Sequence, residues 1–146
     1  MTGAIAEAIR ALASPFGFTF DPVVRRDFTI APGMEEPVVK RAYVGWLWML
    51  TFTCDRPELV LKLRFNIRET AFEFERSVQD LYDEGLLGYN PKLPWLASSD
   101  SAYVVCFTPP GDGMPFEECY VGLRNPTADK TITVSEFECL LLRRVV

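Results

Sequence analysis

The feature that most limits what this chain can become is hydrophobicity that repeats every second residue. Leu59, Leu61, Leu63, Phe65 and Ile67 alternate with Lys62, Arg64, Asn66 and Arg68. Successive side chains of a β-strand point to opposite faces, so the segment reads as a half-buried antiparallel strand, apolar inward and polar outward. The same period recurs between turn signals along most of the chain. Phe16, Phe18 and Phe20 alternate up to a break at Asp21-Pro22, and Arg26 to Ala31 forms a further strand ended by Pro32-Gly33. Val38 to Cys54, Ala102 to Thr108, Phe116 to Arg124 and Thr131 to Val146 follow. The apolar phase slips near Arg68-Glu69-Thr70, which predicts a tight turn or a bulge, and again near Ser135-Glu136, which predicts a bulge.

Two stretches read as helix. In residues 3–13, Ile5, Ile9 and Leu12 recur at i, i+4 and i+7 after a capping Thr2, with Pro15 just beyond the end. In Ser77 to Leu87, Ser77 stands three residues before Asp80 as a cap, and Gly85 or Gly88 closes the end. Gly88 to Trp95 is an extended, proline-fixed connection and Pro109 to Pro115 a turn-rich loop. Seven or eight strands, Pro/Gly turns and one short crossover helix predict an all-β fold, an antiparallel β-sandwich of jelly-roll type. With 146 residues one core suffices, so the predicted division is a helical arm, residues 1–15, before a sandwich domain, residues 16–146.

Composition narrows the chemistry. The chain has no histidine, which excludes Ser-His-Asp and Cys-His machinery and a neutral-pH histidine base. Fifteen Lys and Arg against twenty Asp and Glu give a net charge of -5. No basic tract is longer than a pair such as Arg25-Arg26 or Arg143-Arg144, so neither nucleic acid nor an anionic membrane is expected as a partner. Cys54, Cys106, Cys119 and Cys139 form no C-x-x-C pair and sit in apolar runs, which reads as buried free thiols rather than a metal or redox site, with one or two disulfides across facing sheets as the alternative. The N-terminus lacks a basic region ahead of an uninterrupted apolar stretch, and the run from Ala42 to Cys54 is too short for a helical span. A soluble, unexported chain is expected.

Candidate chemistry is sparse. Glu73 and Glu75 share a strand face, and paired carboxylates are the requirement of a glycosidase, but solvated faces carry such pairs routinely. Asp112 lacks the spacing of a calcium loop. Trp46 and Trp48 are two apart beside Val44, Leu50 and Phe52, which reads as core rather than a stacking platform for a sugar. Trp95, in the proline-bounded connection, is a candidate contact residue, and with Asn90 and Asp100 it defines an alternative carbohydrate-binding reading. No phosphate loop or nucleophile elbow is present, and no catalytic residue, cofactor, metal or small-molecule substrate is expected.

What remains is surplus apolar surface. The 43–54 strand is apolar on both faces, and Leu140 and Leu142 lie opposite Phe137, Cys139 and Leu141. A sandwich strand normally shows one polar face, so a subunit interface is the economical reading. Its candidate residues are Ile5, Ile9, Leu12, Tyr43, Leu47, Met49, Trp95, Leu140 and Leu142.

The chain resembles small β-sandwich structural proteins of tailed-phage virions, of the capsid decoration (cement) or head–tail accessory type. The likeness rests on the short N-terminal helix before the first strand and on Gly88-Tyr89-Asn90-Pro91 after a short helix. It extends to the closing hairpin with Pro115-Phe116, Leu123-Arg124-Asn125-Pro126-Thr127 and Thr131-Ile132-Thr133-Val134. The resemblance implies a non-enzymatic virion protein, assembled in the host cytoplasm. It would form a homo-oligomer, commonly a trimer, and bind neighbouring major capsid or other virion subunits. A neck or tail role is the alternative position.

Overall fold

The computed structural model describes residues 17–86, 95–99, 102–109 and 113–145. Its elements in chain order are β1 (Phe18–Ile30), β2 (Glu35–Arg41), β3 (Gly45–Cys54), β4 (Val60–Ile67), β5 (Thr70–Ser77), α1 (Val78–Leu86), β6 (Trp95–Ser99), β7 (Tyr103–Phe107), β8 (Met114–Phe116), β9 (Glu118–Arg124) and β10 (Ile132–Arg144). The strands form two antiparallel sheets. The larger has the order β1-β10-β3-β7-β6 with β8 also on β3, and the smaller has the order β2-β9-β4-β5. Pairing runs first with last: β1 with β10, β2 with β9, β3 with β7 and β8, β4 with β5.

Alternation dictates how the sheets meet. Leu47, Leu50, Phe52, Val105, Phe107, Phe137 and Leu141 of the larger sheet share one core with Val39, Leu61, Leu63, Phe65, Val121 and Leu123 of the smaller. The two sheets thus close on each other as a sandwich-like pair of layers. Helix α1 crosses from β5 to β6 and contributes Val78 and Leu81 to the same core. The Ser77 Oγ accepts the Asp80 N–H at 3.1 Å, the cap expected from sequence.

Both expected phase slips have a structural cause. Ile67 pairs with Thr70 around a two-residue turn in which Arg68 takes φ +55°, and β10 has a register shift between Val134 and Glu136. Three expected boundaries are corrected. Asp21-Pro22 does not end a strand: β1 runs unbroken for 13 residues. It is the edge of its sheet, where proline's missing N–H costs least. Val38 to Cys54 is two strands in different sheets, joined by a corner at residues 42–44. Gly45 serves that corner, because a Cβ there would collide with the Leu142 carbonyl. Phe116 to Arg124 likewise divides at Glu117, where the chain passes between sheets. The helix expected at residues 3–13, the connection at 88–94, Asp100 and Asp112 lie outside the described residues. Among the described residues, no helix is long and apolar enough to cross a membrane.

Candidate functional site

The candidate surface originates in one irregularity of β3. Leu140 pairs with Met49 but Leu141 pairs with Leu47, so Trp48 is an extra residue bulged from the ladder. A bulge shifts the side-chain phase by one. Leu47, Leu50, Phe52 and Cys54 therefore all point into the core, and Trp46, Trp48 and Met49 are left on the opposite, outward face. There they meet Leu140 and Leu142 of β10 and Phe18 and Phe20 of β1.

This outward face is a second apolar cluster, separate from the core between the sheets. Leu140 and Leu142 are 1% and 9% exposed at its centre, under half-buried aromatic neighbours. Register aligns Phe20, Leu142 and Trp46 in one row across three strands. The Phe18 and Trp46 rings meet edge to face, with centroids 4.9 Å apart at 89°.

Of the residues singled out from sequence, Met49, Leu140 and Leu142 are brought together here. Leu47 is corrected: it is fully buried in the main core, because the bulge turns it inward. Trp46 and Trp48, read as core from sequence, are corrected to the outer face for the same reason. Tyr43 stands at the 42–44 corner, its ring 5.6 Å from Phe116. Trp95 is not in a loop but opens β6, paired with Phe107. Ile5, Ile9 and Leu12 lie outside the described residues. Sequence reasoning missed Phe18 and Phe20, although their alternation was visible, because nothing local says which side of an edge strand faces the core.

Tyr43 belongs to a polar clasp. Its hydroxyl donates to Asp21 Oδ2 at 2.5 Å, and Arg41 Nε donates to the same oxygen at 2.8 Å. The clasp ties β2 of the smaller sheet to β1 of the larger, with the Arg143 guanidinium 5.1 Å from the Tyr43 ring. Burial alone would raise the Asp21 pKa, but the hydrogen bonds from Arg41 and Tyr43 outweigh it and hold the carboxyl below its usual value. Burial and the Asp21 bond push the Tyr43 phenol well above its own.

The remaining candidates are engaged elsewhere. Glu73 faces Arg64 at 3.4 Å and Glu75 faces Arg124 at 2.6 Å, a ladder of ion pairs on the outer face of the smaller sheet. All four cysteines are free thiols. Burial pushes Cys54 and Cys119 up to about 12, and raises Cys139 and Cys106 as well. Among the described residues, no group of three His, Cys, Asp or Glu side chains is placed to hold a metal ion. No protein-family model matches this chain, and no curated protein sequence is significantly similar to it.

Proposed function

We propose that this chain is a non-enzymatic jelly-roll structural protein that self-associates through the outer apolar face of its larger sheet. In this reading it serves in a virion as a decoration or cement protein holding neighbouring capsid subunits. One observation carries the assembly reading: a continuous apolar face from Phe18 and Phe20 through Leu140 and Leu142 to Trp46, Trp48 and Met49, on the side of the sheet turned away from the core. Contiguous apolar patches of this kind mark interaction sites on otherwise polar domains. The first-with-last strand pairing supports the jelly-roll assignment, because it is the order of one long hairpin rolled into two sheets, an architecture used by viral capsid and lectin domains. The virion setting and the trimer follow from the sequence resemblance, and a neck or tail position would use the same face on a different partner.

Light scattering across a concentration series tests the proposal. The full chain is expected to be an oligomer, and Met49→Lys, at a half-buried position on the face, to shift it to monomer while the circular dichroism stays unchanged. A monomer at every concentration would remove self-association through this face.

A further inference from the structure

The outer face of the smaller sheet, on the other side of the molecule, carries a different construction. Tyr120 occupies the middle of β9, and in the register of the sheet Lys40 pairs with it from one side and Arg64 from the other. Its ring lies along the sheet rather than standing off it, because Gly122 leaves the space. A Cβ at Gly122 would be 2.6 Å from the Tyr120 Oη and 2.8 Å from Cε1. The phenol is pinned by donation to Glu35, which Lys62 also approaches at 3.8 Å. The Arg64 guanidinium stands 5.9 Å from the ring centroid. The result is an anchored aromatic plate with a cation on each flank.

Beside the plate is a hollow of about 280 Å³ whose lining includes Lys40, Arg64, Asn66, Glu118 and Tyr120. It adjoins a second hollow of about 200 Å³ through Asn66 and Glu118. Asn66 Nδ2 donates to Glu118 Oε2 at 2.7 Å, and Arg64 is shared with the exposed Glu73. Arg41 is committed to Asp21, whereas the exposed Lys40 ammonium has no ion-pair partner among the described residues.

We infer that this groove binds a carboxylated sugar, one ring stacked on Tyr120 with its carboxylate between Lys40 and Arg64. Each part of that ligand has a counterpart. An aromatic face takes the apolar C–H face of a pyranose, and flanking cations take a carboxylate through charge-assisted hydrogen bonds. Asn66, Glu118 and, in the second hollow, Glu117 offer the planar donors and acceptors that sugar hydroxyls require. A nucleic-acid strand would also stack on an aromatic plate. Its phosphate at every nucleotide would, however, run past Glu117, Glu118 and Glu69 on a chain of net charge -5, so the sugar is favoured. The site stands apart from the apolar face and does not depend on self-association.

The test is a titration of the folded protein followed by amide ¹H–¹⁵N shifts, with an aldotriouronate (one uronate on two neutral sugars, hence a single carboxylate), neutral maltotriose and an oligothymidylate as probes. The aldotriouronate is expected to move the Lys40, Asn66 and Gly122 amides saturably. Lys40→Ala is expected to weaken binding about fivefold, the scale of one exposed charge pair. Gly122→Ala displaces the ring and is expected to abolish binding while amides of the larger sheet keep their positions. Absence of saturable shifts, equal binding of maltotriose, or indifference to Lys40→Ala would each overturn the assignment. Tighter binding of oligothymidylate would replace it with a nucleic-acid site.

Discussion

At the scale of single residues, the structure depends most on polar groups that reach across the chain. Asn125 is wholly buried, and its side chain is saturated. Nδ2 donates to the Ile30 and Lys130 carbonyls at 2.9 and 2.6 Å, and Oδ1 accepts from the Thr127 N–H and hydroxyl at 3.0 and 2.7 Å. Asn125→Ala leaves the buried Ile30 carbonyl without this donor, so a loss of about 3 kcal/mol in urea unfolding is expected. A loss below about 1 kcal/mol would show that the turn closes without it. Sequence displayed Asn125-Pro126-Thr127 as a turn, but not the hub, because Ile30 is 95 positions away. Titration follows the same logic. Cys54 and Cys119 are pushed up to about 12 from an ordinary 9, and Tyr43 is raised too. A raised folded pKa means that the unfolded chain ionises first, so stability is intact below about pH 9 and falls as pH rises beyond it. Asp21 is lowered, so its contribution is present above its usual carboxyl range and disappears as pH falls through it. Melting temperature against pH is therefore expected to form a plateau with both flanks descending. Retained stability at high pH would contradict the buried thiols.

At the scale of elements, what was legible depended on whether a local signal had one meaning. β4 was readable because its inward positions are apolar and its outward ones largely polar, and α1 because Ser77 caps it. Replacing that cap, Ser77→Ala, is expected to cost about 1 kcal/mol. β3 was misread because both its faces are apolar, so alternation could not reveal the single inserted residue that reverses its phase. The edge position of β1, which lets Pro22 sit inside a strand, is a property of the sheet and invisible locally. The bulge makes an ordering prediction. Leu47→Ala empties a fully buried site and should cost about 2–5 kcal/mol, whereas Trp48→Ala should cost less despite removing the larger side chain. The reverse order in equilibrium unfolding would place Trp48 in the core and dissolve the outward face.

At the scale of the whole molecule, topology constrains the proposed assembly. β1 pairs with β10 along almost its full length, so the first described strand waits for the last. Non-local pairing of this kind folds slowly, on the order of milliseconds to seconds, because loop-closure entropy is lost before the contacts form. The outward apolar face is made of β1, β10 and β3, neighbours only once that closure has occurred. A surface that exists only after the sheet is complete cannot nucleate folding. Refolding followed by tryptophan fluorescence should therefore show a first phase independent of protein concentration. A second phase should accelerate with concentration and carry the further environmental change of half-buried Trp46 and Trp48. Met49→Lys should delete the second phase and spare the first. If all the fluorescence change occurs in one concentration-independent phase while light scattering still shows an oligomer, the tryptophans lie outside the interface, and the contact must be sought on another surface. The polar, charge-laddered outer face of the smaller sheet is poorly suited to such burial, since its ion pairs would need desolvation without new partners. That asymmetry, one face apolar and one charged across a shared core, is why the proposed self-association is assigned to the larger sheet.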